Sequence, residues 1–144
     1  MHLTSLLLPL LPCTSALLIP RAGGPTATPL PPSCTPTSPT TNLTSQAPIG
    51  SFRKQHLLYQ FHIPLPDATP IAERWQECLE QCNGLEGCVA AYMADGLRAP
   101  KNANGAQGEK GRGCLMFDAE MAEGDLGEVK GVRKAKAGNL GCEE

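Results

Sequence analysis

Histidine and glutamate are the side chains in this sequence best suited to proton transfer, and their spacing bears on catalysis. His56 and His62 fall in one alternating segment typical of a strand, where six residues of rise separate two side chains by about 20 Å, too far to share a proton or a metal ion. Glu73 and Glu77 lie on a predicted helix, where exposed glutamates usually form solvated surface. The chain has no G-x-S-x-G nucleophile motif. We expect a non-enzymatic protein without a cofactor.

Cysteine is the second chemically distinctive residue type, with seven in the 144 residues. Three have the spacing Cys78-x₃-Cys82-x₅-Cys88, and Cys114 opens an apolar segment. Zinc sites also use closely spaced cysteines, but they usually come as two pairs or with a nearby histidine, whereas Cys114 and Cys142 are isolated in sequence. We therefore favour structural disulfides over a zinc site or a reactive thiol, as in small secreted domains.

The N-terminal segment predicts secretion. A leucine-rich run within residues 1–16 is followed by Thr14 and Ala16, which suit the −3 and −1 positions of a cleavage site. The run is too short to span a membrane. Cleavage after Ala16 would remove Cys13 and leave six cysteines, which pair completely in any of fifteen ways. We expect a signal peptide at 1–16 and an extracellular protein, free or associated with the cell wall.

Residues 17–50 are rich in proline, threonine and serine, which supply 18 of the 29 residues from position 20 to position 48. This composition predicts an extended linker and a candidate O-glycosylated stalk. Asn42 heads the chain's only N-glycosylation sequon, N-L-T, and is the candidate glycosylation site. Cys34 is unusual in such a segment and indicates that one point of the linker is tied to the folded domain.

A folded domain is predicted over residues 51–144. Alternating apolar residues predict a strand at 56–63, and two prolines end it. Thr69 then suits a helix N-cap and Pro70 the first helical position, and the helix should end near Asn83 with Gly84 as its C′ residue. Residues 88–94 and 114–118 predict two further strands, and Val129 and Val132 suit a last one. One stripe of the helix is apolar: Ile71, Trp75, Cys78, Leu79 and Cys82.

The polar, glycine-rich segment 95–113 is predicted to be a long exposed loop with a net basic charge. Loops on a rigid scaffold commonly carry recognition, although a tolerated insertion is the alternative. Trp75 and Tyr92 have core-facing spacings, which favour packing over sugar stacking. The candidate ligand residues are the four cations of the loop: Arg98, Lys101, Lys110 and Arg112.

Composition limits the size of the core and the class of partner. Only six residues are aromatic, while glycine and proline supply 15 and 14 residues, so disulfides are needed to stabilise the fold. The formal charge of −2 argues against a general nucleic-acid binder. The acidic stretch after residue 118 and the basic stretch from residue 130 are typical of solvated surface.

Two segments together resemble a known superfamily: W-Q-E-C-L-E-Q-C-N-G-L-E-G-C-V-A-A-Y at residues 75–92, and C-L-M-F at 114–117. They resemble the PAN/Apple domain, and more narrowly the apple-like domains of small secreted fungal proteins. The resemblance implies an α+β fold at 51–144, with one helix packed on a small, mostly antiparallel, disulfide-stapled sheet. The nested bridges of the family imply three pairs: Cys82–Cys88, Cys78–Cys114 and Cys34–Cys142.

The resemblance also implies a function, because members of this superfamily bind proteins or carbohydrates. We expect a secreted, disulfide-stabilised, non-catalytic binding module whose partner is an extracellular protein or glycan, and we expect it to be a monomer. Two alternatives stay open. One is a secreted effector or inhibitor that acts on a host or competitor protein, and the other is a passive component of the cell wall or matrix.

Overall fold

The computed structural model describes residues 24–101 and 107–142 and shows a small α+β protein with three disulfides. The predicted signal peptide and Cys13 lie outside the described residues. The strands form two antiparallel sheets, one of four strands in the order β2-β4-β3-β6 and one of two strands, β1-β5. The elements are β1 (Gln46–Pro48), α1 (Gly50–His56), β2 (Leu57–Ile63), α2 (Ile71–Asn83), β3 (Ala90–Arg98), β4 (Lys110–Phe117), a 3₁₀ turn (Glu123–Asp125), β5 (Leu126–Glu128) and β6 (Arg133–Asn139).

Helix α2 lies close to its predicted position, but both of its ends differ from the prediction. Pro70 is the N-cap and not the first helical residue, and no side chain caps this end. Gly84 has φ −86°, in the right-handed region, so it is not a left-handed C′ residue. The predicted apolar stripe is confirmed, because Cys78, Leu79 and Cys82 are all buried against the sheet.

The four-stranded sheet has a core on each face, because successive residues of a strand point to opposite sides. On the helix side, Met93 of β3 and Met116 of β4 pack against α2. On the opposite side, Tyr92 and Phe117 pack beneath Phe52 of α1. This arrangement needs two covering elements, one for each apolar face of the sheet.

Helix α1 is the element that the sequence analysis missed. The predicted strand at 56–63 begins at Leu57 instead, and His56 is the last residue of α1. Phe52 is the only buried residue of this helix, so its seven residues carry too short an apolar pattern to reveal it.

The predicted long loop at 95–113 is wrong at both ends, because residues 95–98 and 110–113 are strand, and residues 102–106 lie outside the described residues. Strand β3 continues to Arg98 and β4 begins at Lys110. Gly111 and Gly113 are strand residues at close approaches, where a Cβ would collide with His62 and Leu97. These glycines therefore permit tight packing instead of ending the strands.

The last strand also lies elsewhere than predicted. Strand β6 begins at Arg133, so Val129 and Val132 belong to the connection between β5 and β6. Val132 is nevertheless buried in the core on the α1 side, whereas Val129 is 44% exposed.

The proline-rich segment contacts the domain over much of its length from residue 24 to residue 48, which we call the arm. Its Thr28 amide donates to the Glu80 carbonyl, and the Asn83 side chain donates to the Thr28 carbonyl. Further along, Thr37 forms an antiparallel bridge with Asn139 at the end of β6, and β1 pairs with β5. The sequence predicted one tie between this segment and the domain, at Cys34, and the structure shows several.

The three disulfides are Cys82–Cys88, Cys78–Cys114 and Cys34–Cys142, the same pairs that the resemblance implies. The first bridges the end of α2 to the segment before β3, the second joins α2 to β4, and the third fixes the arm to the residues after β6. Chain-entropy estimates give upper limits of roughly 2, 4 and 5 kcal/mol for their stabilisation.

Replacing Cys34 and Cys142 with Ser should release the arm and leave the four-stranded sheet folded. Neither residue belongs to the two core clusters, whereas Cys78 and Cys114 both do. Hydrogen exchange read by mass spectrometry should show lost protection at 24–40 and retained protection in β3 and β4. The matched control, Cys78→Ala with Cys114→Ala, should lose protection in the sheet as well. Loss of sheet protection in the first variant would contradict the assignment of Cys34–Cys142 to the arm alone.

Candidate functional site

A cavity of about 300 Å³ lies where β3, β4 and the β5–β6 connection meet α1. Within the described parts of the chain, its lining includes four cations, three aliphatic side chains and one glycine, and no carboxylate. We call it the basic cavity. Its lining residues are Arg53, Gly96, Leu97, Arg98, Lys110, Val129, Lys130 and Val132.

The sheet register places two of these cations side by side. Arg98 of β3 is directly opposite Lys110 of β4, close to the open end of the strand pair. Like charges directly opposite each other across strands destabilise a sheet, because their Cβ atoms lie about 5 Å apart. The fold therefore accepts an electrostatic cost at this position.

Two glycines, Gly96 and Gly131, bring the β5–β6 connection and its Lys130 close to Arg98 and Lys110. Gly96 forms an irregularity in β3 with φ +88°, and Gly131 has φ +91° in the β5–β6 connection. A Cβ on Gly96 would collide with the Gly131 carbonyl, so the two backbones approach closely only because residue 96 is glycine. A Cβ on Gly131 would lie 3.0 Å from Lys110 Nζ, which places this ammonium beside the residue that follows Lys130.

The charges of the basic cavity are not neutralised internally. Arg53 Nη2 donates to Gln60 Oε1 at 3.1 Å, and Arg98 Nη1 donates to the Gly108 carbonyl at 3.1 Å, both of which are neutral acceptors. Among the described residues, the ion pairs of the protein do not include any cation of the cavity. Four positive charges are therefore left to an external anion or to solvent.

The structure separates the four predicted ligand residues. Arg98 and Lys110 line the basic cavity, and Lys101 is exposed beyond the end of β3 but is not among the lining residues. Arg112 is only 5% exposed and lies inside the protein, contrary to the predicted exposed loop. Residue 112 lies directly opposite Asp95 of β3 and is held by Asp95 and Asp67, whereas Lys110 lies at the exposed end of the same strand.

Arg112 is the centre of a buried ion-pair network at the start of α2. Its Nε donates to Asp95 Oδ1 at 2.7 Å, and its Nη1 donates to Asp67 Oδ2 at 2.9 Å. Arg74 of α2 also donates to Asp67, and this hydrogen bond is the main cause that lowers the pKa of Asp67 to about 2. Arg74 further pairs with Glu77. The network ties the start of α2 to the sheet.

The histidines and glutamates considered as acids or bases have separate surroundings. His56 Nδ1 lies 2.9 Å from Asp118 Oδ1 at the surface. His62 is half-buried, its Nδ1 has no hydrogen-bond partner, and burial lowers the pKa of its imidazole. Glu73 is exposed, whereas Glu77 is paired with Arg74. In the described ranges, no group of three or more histidine, cysteine or acidic residues is arranged to hold a metal ion.

The two aromatic residues considered as sugar platforms are packed into the protein. Tyr92 is fully buried, its hydroxyl donates to the Gln46 carbonyl at 2.7 Å, and burial raises the pKa of the phenol. Trp75 is half-buried against the core beneath α2. Packing, which the core-facing spacings favoured, is therefore confirmed for both residues.

Several residues of the cavity were not predicted. Arg53 lies on the helix that the sequence did not reveal, and Lys130 belongs to a basic stretch that was interpreted as solvated surface. No local pattern connects either residue with Arg98, because α1 and the β5–β6 connection meet β3 only through tertiary packing.

No family model, no curated protein and no solved structure matches the chain. Among the residues that the structure describes, no helix is long and apolar enough to cross a membrane. The fold class therefore follows from the structure itself: a small α+β protein stabilised by disulfides.

Arg112→Ser should destabilise the protein far more than Arg98→Ser, although both remove one positive charge from neighbouring strands. The first leaves Asp67 and Asp95 without their shared partner inside the protein, which typically costs about 3 kcal/mol or more. The second removes an exposed cation opposite a like charge and should change the free energy of unfolding by less than about 0.5 kcal/mol. Denaturant unfolding measures both values, and equal destabilisation would contradict the different placement of the two arginines.

Proposed function

We propose that this protein is a secreted, disulfide-stabilised, non-catalytic module that recognises an extracellular protein or glycan through the basic cavity. The observation that carries this proposal is the like-charge pair Arg98–Lys110, which is uncompensated by any carboxylate of the described cavity lining. A bound anion would offset the repulsion between these two cations. Ligand binding would therefore stabilise the end of the β3–β4 strand pair.

The proposed PAN/Apple relationship rests on the arrangement of helix, sheet and bridges. Helix α2 packs on an antiparallel sheet, Cys78–Cys114 joins the helix to the sheet, and Cys82–Cys88 closes the short loop after the helix. Helix α1 and the docked arm are additional to the single helix and sheet that the resemblance implies.

Three disulfides support an extracellular location, because disulfides persist in oxidising compartments. Secretion through a signal peptide at 1–16 is part of the proposal, as is glycosylation of Asn42, whose side chain is exposed. Residues 24–48 are docked on the domain, so little of this segment is free to act as a stalk. This favours a binding domain over a passive wall component.

Replacing Arg98 and Lys110 with Ser should abolish most of the binding to an extracellular partner. The two substitutions remove two of the cavity's four positive charges and leave its apolar wall in place. We expect at least a tenfold loss of retention, strongest at low salt, where surface charges are least screened. The measurement is capture from extracellular extract together with binding to a glycan array.

The matched control is Lys54→Ser with Lys136→Ser, which removes the same net charge from two side chains that are not among the cavity's lining residues. It should bind like the unmodified protein. Circular dichroism should show that all variants are folded. Undiminished capture by the Arg98→Ser/Lys110→Ser variant would exclude the basic cavity as the contact surface, and a protein that captures nothing would contradict the binding function itself.

A further inference from the structure

We infer that the basic cavity takes a carboxylate side chain of a protein partner, presented beside an aliphatic residue. This inference rests on the proposed function and narrows its ligand from a protein or glycan to an acidic, aliphatic segment of a protein. Three features of the cavity favour such a ligand: the chemistry of its lining, its volume and the exposure of its rim.

The lining side chains offer hydrogen-bond donors and no acceptors. Arginine carries five N–H donors, lysine carries three, and neither has an acceptor, while the remaining lining residues are glycine, leucine and valine. An ionised carboxylate is the complementary group, because it accepts hydrogen bonds and donates none. A sugar hydroxyl both donates and accepts, so a saccharide in this cavity would find no side-chain acceptor for its donors.

The aliphatic part of the lining distinguishes a carboxylate side chain from a simple anion. Leu97 and Val132 are buried at 8% and 4% exposure, and Val129 at the rim is 44% exposed. Val129 is among the few large apolar side chains that the described surface exposes to this degree. Sulfate or phosphate would leave the exposed Val129 side chain in water, whereas a neighbouring aliphatic side chain of a partner would cover it.

The volume of the cavity fits side chains better than an extended chain of sugars. Ligand pockets usually measure about 300 to 1,000 Å³. The basic cavity, at about 300 Å³, is at the lower limit and accommodates one or two side chains. The expected ligand is therefore an acidic residue flanked by leucine, isoleucine or valine.

A titration followed by NMR of the ¹⁵N-labelled protein tests this inference with three defined probes. They are acetyl-Leu-Glu-Leu-amide, its uncharged analogue acetyl-Leu-Gln-Leu-amide, and trigalacturonate. The Glu peptide should shift the amide signals of Gly96, Leu97, Lys110 and Lys130 in a saturable way. The Gln peptide and trigalacturonate should bind at least tenfold more weakly, since one lacks the charge and the other lacks the aliphatic groups.

Two variants test whether the Glu peptide binds in the basic cavity. Arg98→Ser should weaken binding of the Glu peptide at least fivefold, whereas the control Lys54→Ser on the same protein should leave it unchanged. Equal binding of the two peptides, absence of saturable shifts at the cavity, or tighter binding of trigalacturonate would each overturn the inference. A different result would contradict the proposed function: the protein would bind no extracellular partner, even if the Glu peptide bound in the cavity.

Discussion

The covalent link between α2 and the sheet is the constraint on which the rest of the structure depends. Cys78 and Cys114 are 0% and 1% exposed, and their bridge fixes the helix over the centre of β4. The chain has too few aromatic residues to fill a large core, so apolar burial alone gives limited stability to a domain of this size. With the helix fixed, Met93 and Met116 are enclosed on one face, and the other face remains for Phe52 and the β5–β6 connection.

Strand β4 shows how the fold assigns different roles to chemically similar residues. Arg112 is held inside by Asp67 and Asp95, and it reinforces the start of α2 where no side chain caps the helix. Two residues earlier, Lys110 lies at the end of the strand, opposite Arg98 and without a carboxylate partner among the described residues. The first cation stabilises the fold, and the second is available for a ligand.

The sequence predicted those elements whose signal is local. The apolar stripe of α2 and the alternation in β2 placed the helix and the strand to within a few residues, because Cys78 and Leu79 of the helix are buried on one face, as are Phe61 and Ile63 of the strand. The glycines of residues 95–113 were interpreted as signs of a loop, but Gly111 and Gly113 permit close strand packing. Gly96 forms an irregularity in β3. The candidate site was half predicted: Arg98 and Lys110 were identified, but their meeting with Arg53 and Lys130 depends on tertiary contacts between distant segments.

Peptide mapping of the disulfides under non-reducing conditions tests the central claim most directly. Cleavage after glutamate separates the three clustered cysteines, because Glu80 lies between Cys78 and Cys82 and Glu86 lies between Cys82 and Cys88. The account predicts that the Cys78 peptide is linked to the peptide that contains Cys114. A Cys78–Cys82 link would contradict the account, because Cys78 could then not join α2 to β4. The sheet that positions Arg98 and Lys110 would lack its covalent attachment to the helix.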